Sequence, residues 1–316
     1  MNKKFKAALI GFAYLAPALI ILLSFRIIPI LLSVRISLYD WGMAGATKFV
    51  GFANYLQVLS DPIFWSSLLN TFWYALFTVP AMLFLSLTIA VLLNQKIKGL
   101  GFYRTLYYLP VVTSIVAVSI VWKWLFNPER GLLNYLLSLI NVSSIQWLED
   151  PRGLFTLIFE PMGIHLPSGL AGPSIALCSL IVMSIWKGLG YNIVIFLAGL
   201  QNIPNQYYEA AKIDGAGSFR LFRNVTWPLL TPTTFYILIM STIVAFEAFA
   251  QVWIMTGPPP GGPLGTTKVV MYYFYEQSFE LWRMGYGAAI AFIAFLIILG
   301  LTIFQRQVLE KRVHYA

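Results

Sequence analysis

The sequence predicts an all-α, polytopic membrane protein with six transmembrane helices. Of its 316 residues 59% are hydrophobic and 10% are charged, and the mean hydropathy is +0.76. A helix needs about 20 mainly apolar residues to cross the roughly 30 Å hydrocarbon core of a bilayer. Runs of that length lie near residues 9–34, 68–93, 105–126, 174–200, 232–255 and 286–305. The run 68–93 contains no charged side chain at all.

The first run follows three lysines and therefore resembles a signal peptide. It is too long for the apolar part of such a peptide, and no small-residue cleavage site precedes Arg26. We interpret it as a retained first transmembrane helix. The single cysteine, Cys178, lies inside another apolar run, so the sequence predicts no disulfide framework.

The basic residues indicate which side of the membrane each loop faces. Twelve of the 21 lie in four segments that a six-helix topology places on one side: Lys3, Lys4, Lys6, Lys96, Lys98, Arg104, Lys212, Arg220, Arg223, Arg306, Lys311 and Arg312. The opposite segments hold Lys48, Arg130, Arg152, Lys268 and Arg283. Cytoplasmic loops are enriched in lysine and arginine, so both termini are predicted to be cytoplasmic. The positive charge is thus explained by topology, and no nucleic-acid partner is predicted.

The predicted outer segments are long and rich in proline and glycine. Residues 127–173 form a long extracytoplasmic loop, and residues 257–263 read Gly-Pro-Pro-Pro-Gly-Gly-Pro. Such sequences cannot continue a helix, and long loops in compact domains are usually functional. We expect short interfacial helices in the outer segments, one of them over 52–59.

Catalytic machinery is not predicted. The sequence contains no phosphate-binding Gly-rich loop of the Walker A type. His165 and His314 are far apart and Cys178 stands alone, so no metal-ligand cluster is indicated. We therefore predict no catalytic residue, no metal site and no cofactor bound by this chain.

Residues 203–227 form a polar segment before the fifth apolar run and predict two short helices. Pro204 can start the first helix, and Ser218 can cap a second helix over 219–225. Gly215 and Gly217 are expected to separate the helices, with the return to the bilayer at Pro228 and Pro232. Residue type alone also allows a simpler interpretation, an amphipathic helix pair lying on the inner leaflet.

The spacing of this segment resembles the EAA loop of ABC-importer permeases. It reads Glu-Ala-Ala-x-x-Asp-Gly-Ala over 209–216, then Phe219 and Val225-x-x-Pro228. In that family the loop is a coupling helix that docks into a groove on the ATPase subunit. The resemblance implies ATPase coupling through Glu209, Ala210, Ala211, Asp214, Gly215, Phe219 and Phe222. The family usually has leucine where this chain has Trp227, a departure that is expected to alter packing rather than docking.

The rest of the chain is similar to the carbohydrate-uptake branch of these permeases. Stretches that carry the likeness are Tyr14-Leu15-Ala16-Pro17, Phe49-Val50-Gly51-Phe52-Ala53-Asn54-Tyr55, Phe126-Asn127-Pro128 and Trp186-Lys187-Gly188-Leu189-Gly190-Tyr191. Residues 152–173 look like an insertion, and the outer Gly-Gly-Pro turn carries an extra Pro-Pro-Pro.

The resemblance implies the fold of a type I ABC importer permease, one transmembrane domain over residues 1–316, and a location in the bacterial inner membrane. Implied partners are a second homologous permease, a dimer of ATPase subunits that use ATP and Mg, and an extracytoplasmic solute-binding protein. The implied substrate is a di- or oligosaccharide, with glycerol phosphate or a sugar alcohol as alternatives. A secondary transporter driven by an ion gradient would need repeated halves and buried acids, and a membrane enzyme would need a catalytic cluster.

A substrate path is predicted along the fourth and fifth spans. Lys187 lies near the middle of the span 174–200, and ionisable groups inside membranes are usually functional. Gly188 and Gly190 should weaken the helix there, as in the discontinuous helices around transport sites. The residues predicted for the path are Ser184, Lys187, Gly188, Tyr191, Ser241, Glu247 and Gln251, the last two one turn apart in the fifth span. Alternatively, Lys187 snorkels or pairs with Glu247 for a structural reason.

Overall fold

The structure, a computed structural model, describes residues 3–95, 98–165 and 167–309. The helices are α1 (Lys3–Leu22), α2 (Ile28–Ser37), α3 (Ala53–Ser60), α4 (Pro62–Leu93), α5 (Leu100–Val112), α6 (Ile115–Leu125), α7 (Leu132–Leu139), α8 (Leu154–Phe159), α9 (Ile175–Gln201), α10 (Asn205–Ile213), α11 (Ser218–Leu221), α12 (Trp227–Phe246), α13 (Ala250–Met255), α14 (Val270–Tyr275) and α15 (Met284–Leu309). Two strands, β1 (Tyr39–Gly42) and β2 (Gly45–Phe49), form a hairpin. Of the residues used above, Lys96, Lys311, Arg312 and His314 lie outside the described residues.

Within the described ranges, five helices are long and apolar enough to cross a membrane: Ile10–Ser37, Pro62–Leu93, Ile175–Gln201, Ser218–Phe246 and Met284–Val308. The bent pair Leu100–Val112 and Ile115–Leu125 makes a sixth span if it is counted as one. The prediction of an all-α protein with six spans is confirmed on that count.

The chain divides into two compact units, and the first contains the described residues up to Pro62 together with Phe274–Phe295. In it, the Asn54 side-chain amide donates to the carbonyl oxygens of Ser37 at 2.8 Å and of Tyr39 at 3.0 Å. These bonds fix α3 to the end of α2 and the start of the hairpin. The short helix predicted over 52–59 is confirmed as α3, whereas the hairpin is not among the predicted elements.

The second unit contains Ile63–Tyr273 and the described residues from Leu296 onward, and its core joins α4, α9 and α12. Fully buried members include Ala90, Phe196 and Leu230. A Cβ at Gly190 would overlap the carbonyl oxygen of Tyr107 in α5, so glycine is needed for the close approach of these two helices. The predicted weakening of the fourth span at Gly188 and Gly190 is wrong, because α9 is a continuous helix of 27 residues.

The third predicted span, 105–126, is not one straight helix. It breaks between α5 and α6 with a bend of 99°. Pro110 lies in the last turn of α5, Thr113 is extended, and the Ser114 hydroxyl caps α6 by accepting from the Val116 N–H at 3.3 Å. The Thr113 hydroxyl in turn donates to the Leu109 carbonyl at 2.9 Å. A proline followed by a capping serine is a stop and a start signal, which the long apolar run obscures.

The fifth predicted span, 232–255, is displaced in the structure. Helical residues run without interruption from Ser218 to Phe246, through a π-helical turn over Phe222–Thr226. Gly217 rather than Ser218 is the N-cap, and Pro228 and Pro232 lie within the helical run instead of breaking it. Glu247 caps the end of α12, and Gln251 lies in the separate helix α13. The prediction that this pair shares one helix is therefore wrong.

The long segment 127–173 contains α7 and α8, and it is fixed to the start of α9 by a short turn. Arg152 and Asp150 form a two-pronged ion pair, with the closest N–O distance 2.6 Å. The Arg152 guanidinium holds the pKa of the Asp150 carboxyl below its usual range. The Asp150 and Arg152 carbonyls accept from the backbone N–H groups of Ala176 and Ile175.

Candidate functional site

A cavity of about 500 Å³ lies in the second unit, among α4, α9, α12, α13 and the break between α5 and α6. It is lined by all seven residues predicted for the substrate path: Ser184, Lys187, Gly188, Tyr191, Ser241, Glu247 and Gln251. The structure thus brings together residues that are up to 67 positions apart in the sequence. Their role in binding a substrate stays a prediction.

A chain of hydrogen bonds crosses the cavity wall from α13 through α4 to α9. The Gln251 amide donates to the Tyr74 hydroxyl at 3.0 Å, and Tyr74 donates to the Ser184 hydroxyl at 2.7 Å. The Tyr74 side chain is almost fully buried, so its hydroxyl has a fixed position. This chain fixes the side chains of Gln251 and Ser184, which line the cavity and can each form further hydrogen bonds.

The Lys187 amine is held by the backbone at the α5–α6 break. It donates to the carbonyl oxygens of Pro110 at 3.1 Å and Thr113 at 2.9 Å. The last carbonyls of a helix have no partner within the helix, and a positive charge there is favourable. Within the described part of the chain, Lys187 and Glu247 form no ion pair. The geometry therefore favours contact of Lys187 with these carbonyl groups over its pairing with Glu247.

A second lysine, Lys123, donates in the same way to carbonyl oxygens at the end of the short helix α13. Lys123 in α6 donates to the carbonyl oxygens of Ile254 and Gly257, both at 3.1 Å, at the end of α13. No role for Lys123 is predicted from the sequence. Two lysines therefore satisfy the carbonyl ends of the two broken helices that border the cavity.

Glu247 is the acidic residue of the cavity lining. Its side chain is exposed at the point where α12 ends, and among the described residues it has no hydrogen-bond partner or ion pair. Because an ionised carboxylate is an acceptor only, Glu247 can accept hydroxyl or N–H donors from a bound molecule.

Sequence reasoning missed several residues of the lining. Tyr74 and Thr78 belong to the uncharged run 68–93, where the surrounding apolar residues give no sign of a polar face. Asn192, buried in α9, donates to the Ser241 hydroxyl at 3.4 Å. An asparagine inside an apolar span is the one available signal, since buried amides need partners.

The predicted coupling segment forms α10 and α11. Glu209, Ala210, Asp214 and Gly215 are exposed, and Gly215 has the left-handed backbone, with φ of 74°, that ends the first helix. Ala211 and Phe222 are half-buried. Two apolar side chains stand open to solvent, Ile213 at 87% exposed and Phe219 at 74%. An acidic group beside exposed apolar side chains is typical of a protein-docking surface.

The coupling segment is connected to the cavity through the helical run Ser218–Phe246, to which α10 is joined by a hydrogen bond. The Tyr208 hydroxyl of α10 lies 3.1 Å from the hydroxyl of Thr226, which is buried at the π-helical turn before α12. The same helical run, Ser218–Phe246, begins beside α10 and carries Met240, Ser241 and Ala245 of the cavity lining. A displacement of α10 can therefore reach the cavity through one continuous helix.

Known transport proteins resemble this chain over most of its length. Residues 52–315 match the model of the family described as "Binding-protein-dependent transport system inner membrane component". The chain is 32% identical over 306 residues to a trehalose/maltose transport system permease protein of Thermococcus litoralis, covering 96% of this chain and 95% of that protein. It is 34% identical over 271 residues to an sn-glycerol-3-phosphate transport system permease protein of Agrobacterium fabrum, covering 85% and 84%.

A solved structure is also similar over nearly its whole length. A chain of a bacterial alginate ABC transporter, crystallised with an alginate pentasaccharide-bound periplasmic protein, has a TM-score of 0.75 to this one. The alignment covers 96% of this chain and 95% of that one at 21% identity. At that identity the likeness shows the fold alone.

Proposed function

The chain belongs to the family of binding-protein-dependent transport system inner membrane components, and we propose that it is the transmembrane subunit of an ATP-driven importer that carries a sugar through the cavity described above. As a multi-pass inner-membrane permease with the importer fold, it supplies the path rather than the energy. The substrate proposed is a di- or oligosaccharide, because hydroxyl, amide and aromatic groups line the cavity.

The observation that carries this proposal is the continuous helical run Ser218–Phe246. It joins an exposed surface around Glu209 and Phe219 to the wall of the cavity. An importer of this kind needs such a connection, since ATP is hydrolysed in one subunit and the substrate moves through another. Alternating access then requires the cavity to open to one side of the membrane at a time.

The proposed partners follow from the assignment of ATP hydrolysis and substrate movement to different subunits. A dimer of ATPase subunits, which use ATP and Mg, docks at the segment 203–227 on the cytoplasmic side. A second homologous permease completes the path, and an extracytoplasmic solute-binding protein delivers the sugar to the outer segments, including 127–173. The chain itself binds no cofactor in this proposal.

A direct test is sugar uptake by the reconstituted importer with an ATPase subunit whose catalytic base is replaced. We expect uptake to fall to background, because no other energy source is coupled to the permease. Collapse of the ion gradients across the same vesicles should leave wild-type uptake unchanged. Uptake that survives the dead ATPase but stops when an ion gradient is collapsed would establish an ion-coupled secondary transporter instead.

Topology provides a second test. Single cysteines in a Cys178→Ser background should resist an impermeant thiol reagent in intact cells when they stand on the cytoplasmic side. We expect resistance at positions 2, 98, 218 and 314, of which 2 and 314 lie outside the described residues. A cysteine at position 165, in the outer segment, should be labelled and is the matched control. Labelling at 218 but not at 165 would invert the topology.

A further inference from the structure

We propose that the cavity selects uncharged, polyhydroxylated substrates over anionic ones, and that Glu247 sets this selection. The inference rests on the proposed function and goes further by naming the charge class of the substrate. It distinguishes an uncharged sugar from glycerol phosphate or a uronate, which the family resemblance leaves open.

The charged side chains of the cavity lining are Lys187 and Glu247. Lys187 could serve as an anion-binding group only if its ammonium hydrogens were available. Two of its three are donated to the carbonyl oxygens of Pro110 and Thr113, at 3.1 and 2.9 Å. Its charge is also balanced by the negative end of α5. The described lining therefore offers a phosphate or carboxylate one cation, and two of its three hydrogens are already held by the α5–α6 break.

Glu247 has the opposite property. Its carboxylate is exposed at the end of α12, and no protein donor or cation contacts it in the described part of the chain. A sugar hydroxyl can donate to this carboxylate, and a hydrogen bond to an ionised group is stronger than one between neutral groups. An anionic substrate would place like charges close together in a cavity that screens them less than bulk water does.

The neutral groups around Glu247 suit hydroxyl groups as well. The Gln251 amide donates one of its two N–H hydrogens to Tyr74, and the Tyr74 hydroxyl donates its hydrogen to Ser184. This leaves the Gln251 carbonyl oxygen as an acceptor, and the second Gln251 N–H and the Ser184 hydroxyl hydrogen as donors. Alternating donors and acceptors match a polyol, in which every hydroxyl both donates and accepts. Tyr191, half of whose surface is exposed, offers a ring to the apolar face of a sugar.

The test uses the importer assembled with its partner subunits in nanodiscs, without the binding protein, so that only the permease discriminates. Equilibrium binding is measured by saturation-transfer NMR for maltose, trehalose and lactose as uncharged probes, and for sn-glycerol 3-phosphate and digalacturonate as anionic probes. We expect the best uncharged probe to bind at least about tenfold more tightly than either anion, given the cost of like-charge juxtaposition. Glu247→Gln should reduce this ratio to below about threefold by strengthening anion binding.

Glu149→Gln is the matched control, because Glu149 is an exposed glutamate outside the cavity lining; its ratio should equal that of the wild type. Equal binding of both classes by the wild type overturns the inference, as does an unchanged ratio in Glu247→Gln. If Glu247→Gln does not assemble, the wild-type ratio alone decides. Sugar uptake that requires the ATPase, combined with no binding of any probe, also overturns it while leaving the proposed function standing. Uptake that does not need the ATPase removes the proposed function itself.

Discussion

Glu209→Lys should lower uptake on the order of 10- to 100-fold or more, to near background. The carboxylate is exposed on α10 and makes no ion pair within the described residues, so it is available for a charge-assisted contact with an ATPase subunit. The substitution removes that contact and replaces attraction with repulsion. Hydrogen bonds to charged groups contribute about 1.5–3 kcal/mol, and each 1.4 kcal/mol corresponds to a factor of ten.

Uptake and substrate-stimulated ATP hydrolysis in the assembled importer measure this effect. The binding protein should still hold its ligand, and the subunit should still insert, since no buried group is disturbed. Gln201→Lys is the matched control: it adds a positive charge at an exposed position just before α10 and should behave as the wild type. Near-normal uptake and stimulated hydrolysis in Glu209→Lys would show that the coupling assignment is wrong.

The number of spans and part of the cavity lining could be predicted from the sequence because both depend on strong local signals. A bilayer demands about 20 apolar residues per helix, so uncharged runs such as 68–93 stand out. Polar residues within such runs are costly unless they meet water or a partner, and that cost identifies Ser184, Glu247 and Gln251. The structure places all three at one cavity.

Helix breaks inside the membrane were not predictable from hydropathy. The runs 105–126 and 232–255 are apolar on both sides of their breaks, and hydropathy averages over them. What stops α5 is Pro110 together with the extended Thr113, and what ends α12 is the backbone conformation at Glu247 and Phe249. Irregular backbone at membrane depth is tolerated where its polar groups find partners. Those partners, such as Lys187 for Pro110, come from distant sequence.

This dependence gives Lys187 a structural role with a measurable consequence. Lys187→Met should destabilise the assembled permease by about 1–3 kcal/mol, because the buried Pro110 carbonyl loses its donor and the end of α5 loses a neighbouring positive charge. Uptake should fall with it, since the position of α5 relative to α6 shapes the cavity. Lys187→Arg keeps N–H donors and charge and should lie closer to the wild type. The measurement is the midpoint of thermal unfolding of the purified complex, alongside the uptake rate.

A second substitution separates this role from pairing with Glu247. If Lys187 were held by that carboxylate, Glu247→Gln would destabilise the complex as much as Lys187→Met, and the double variant would recover stability. With the amine on the carbonyls of Pro110 and Thr113, we expect Glu247→Gln to leave the unfolding midpoint near that of the wild type, and the double variant to be as unstable as Lys187→Met alone. Lys212→Met, at an exposed lysine of α10, controls for the loss of a positive charge and should not change the midpoint. Recovery in the double variant would contradict the capping role, because a missing donor to the α5 carbonyls cannot be replaced by neutralising a carboxylate.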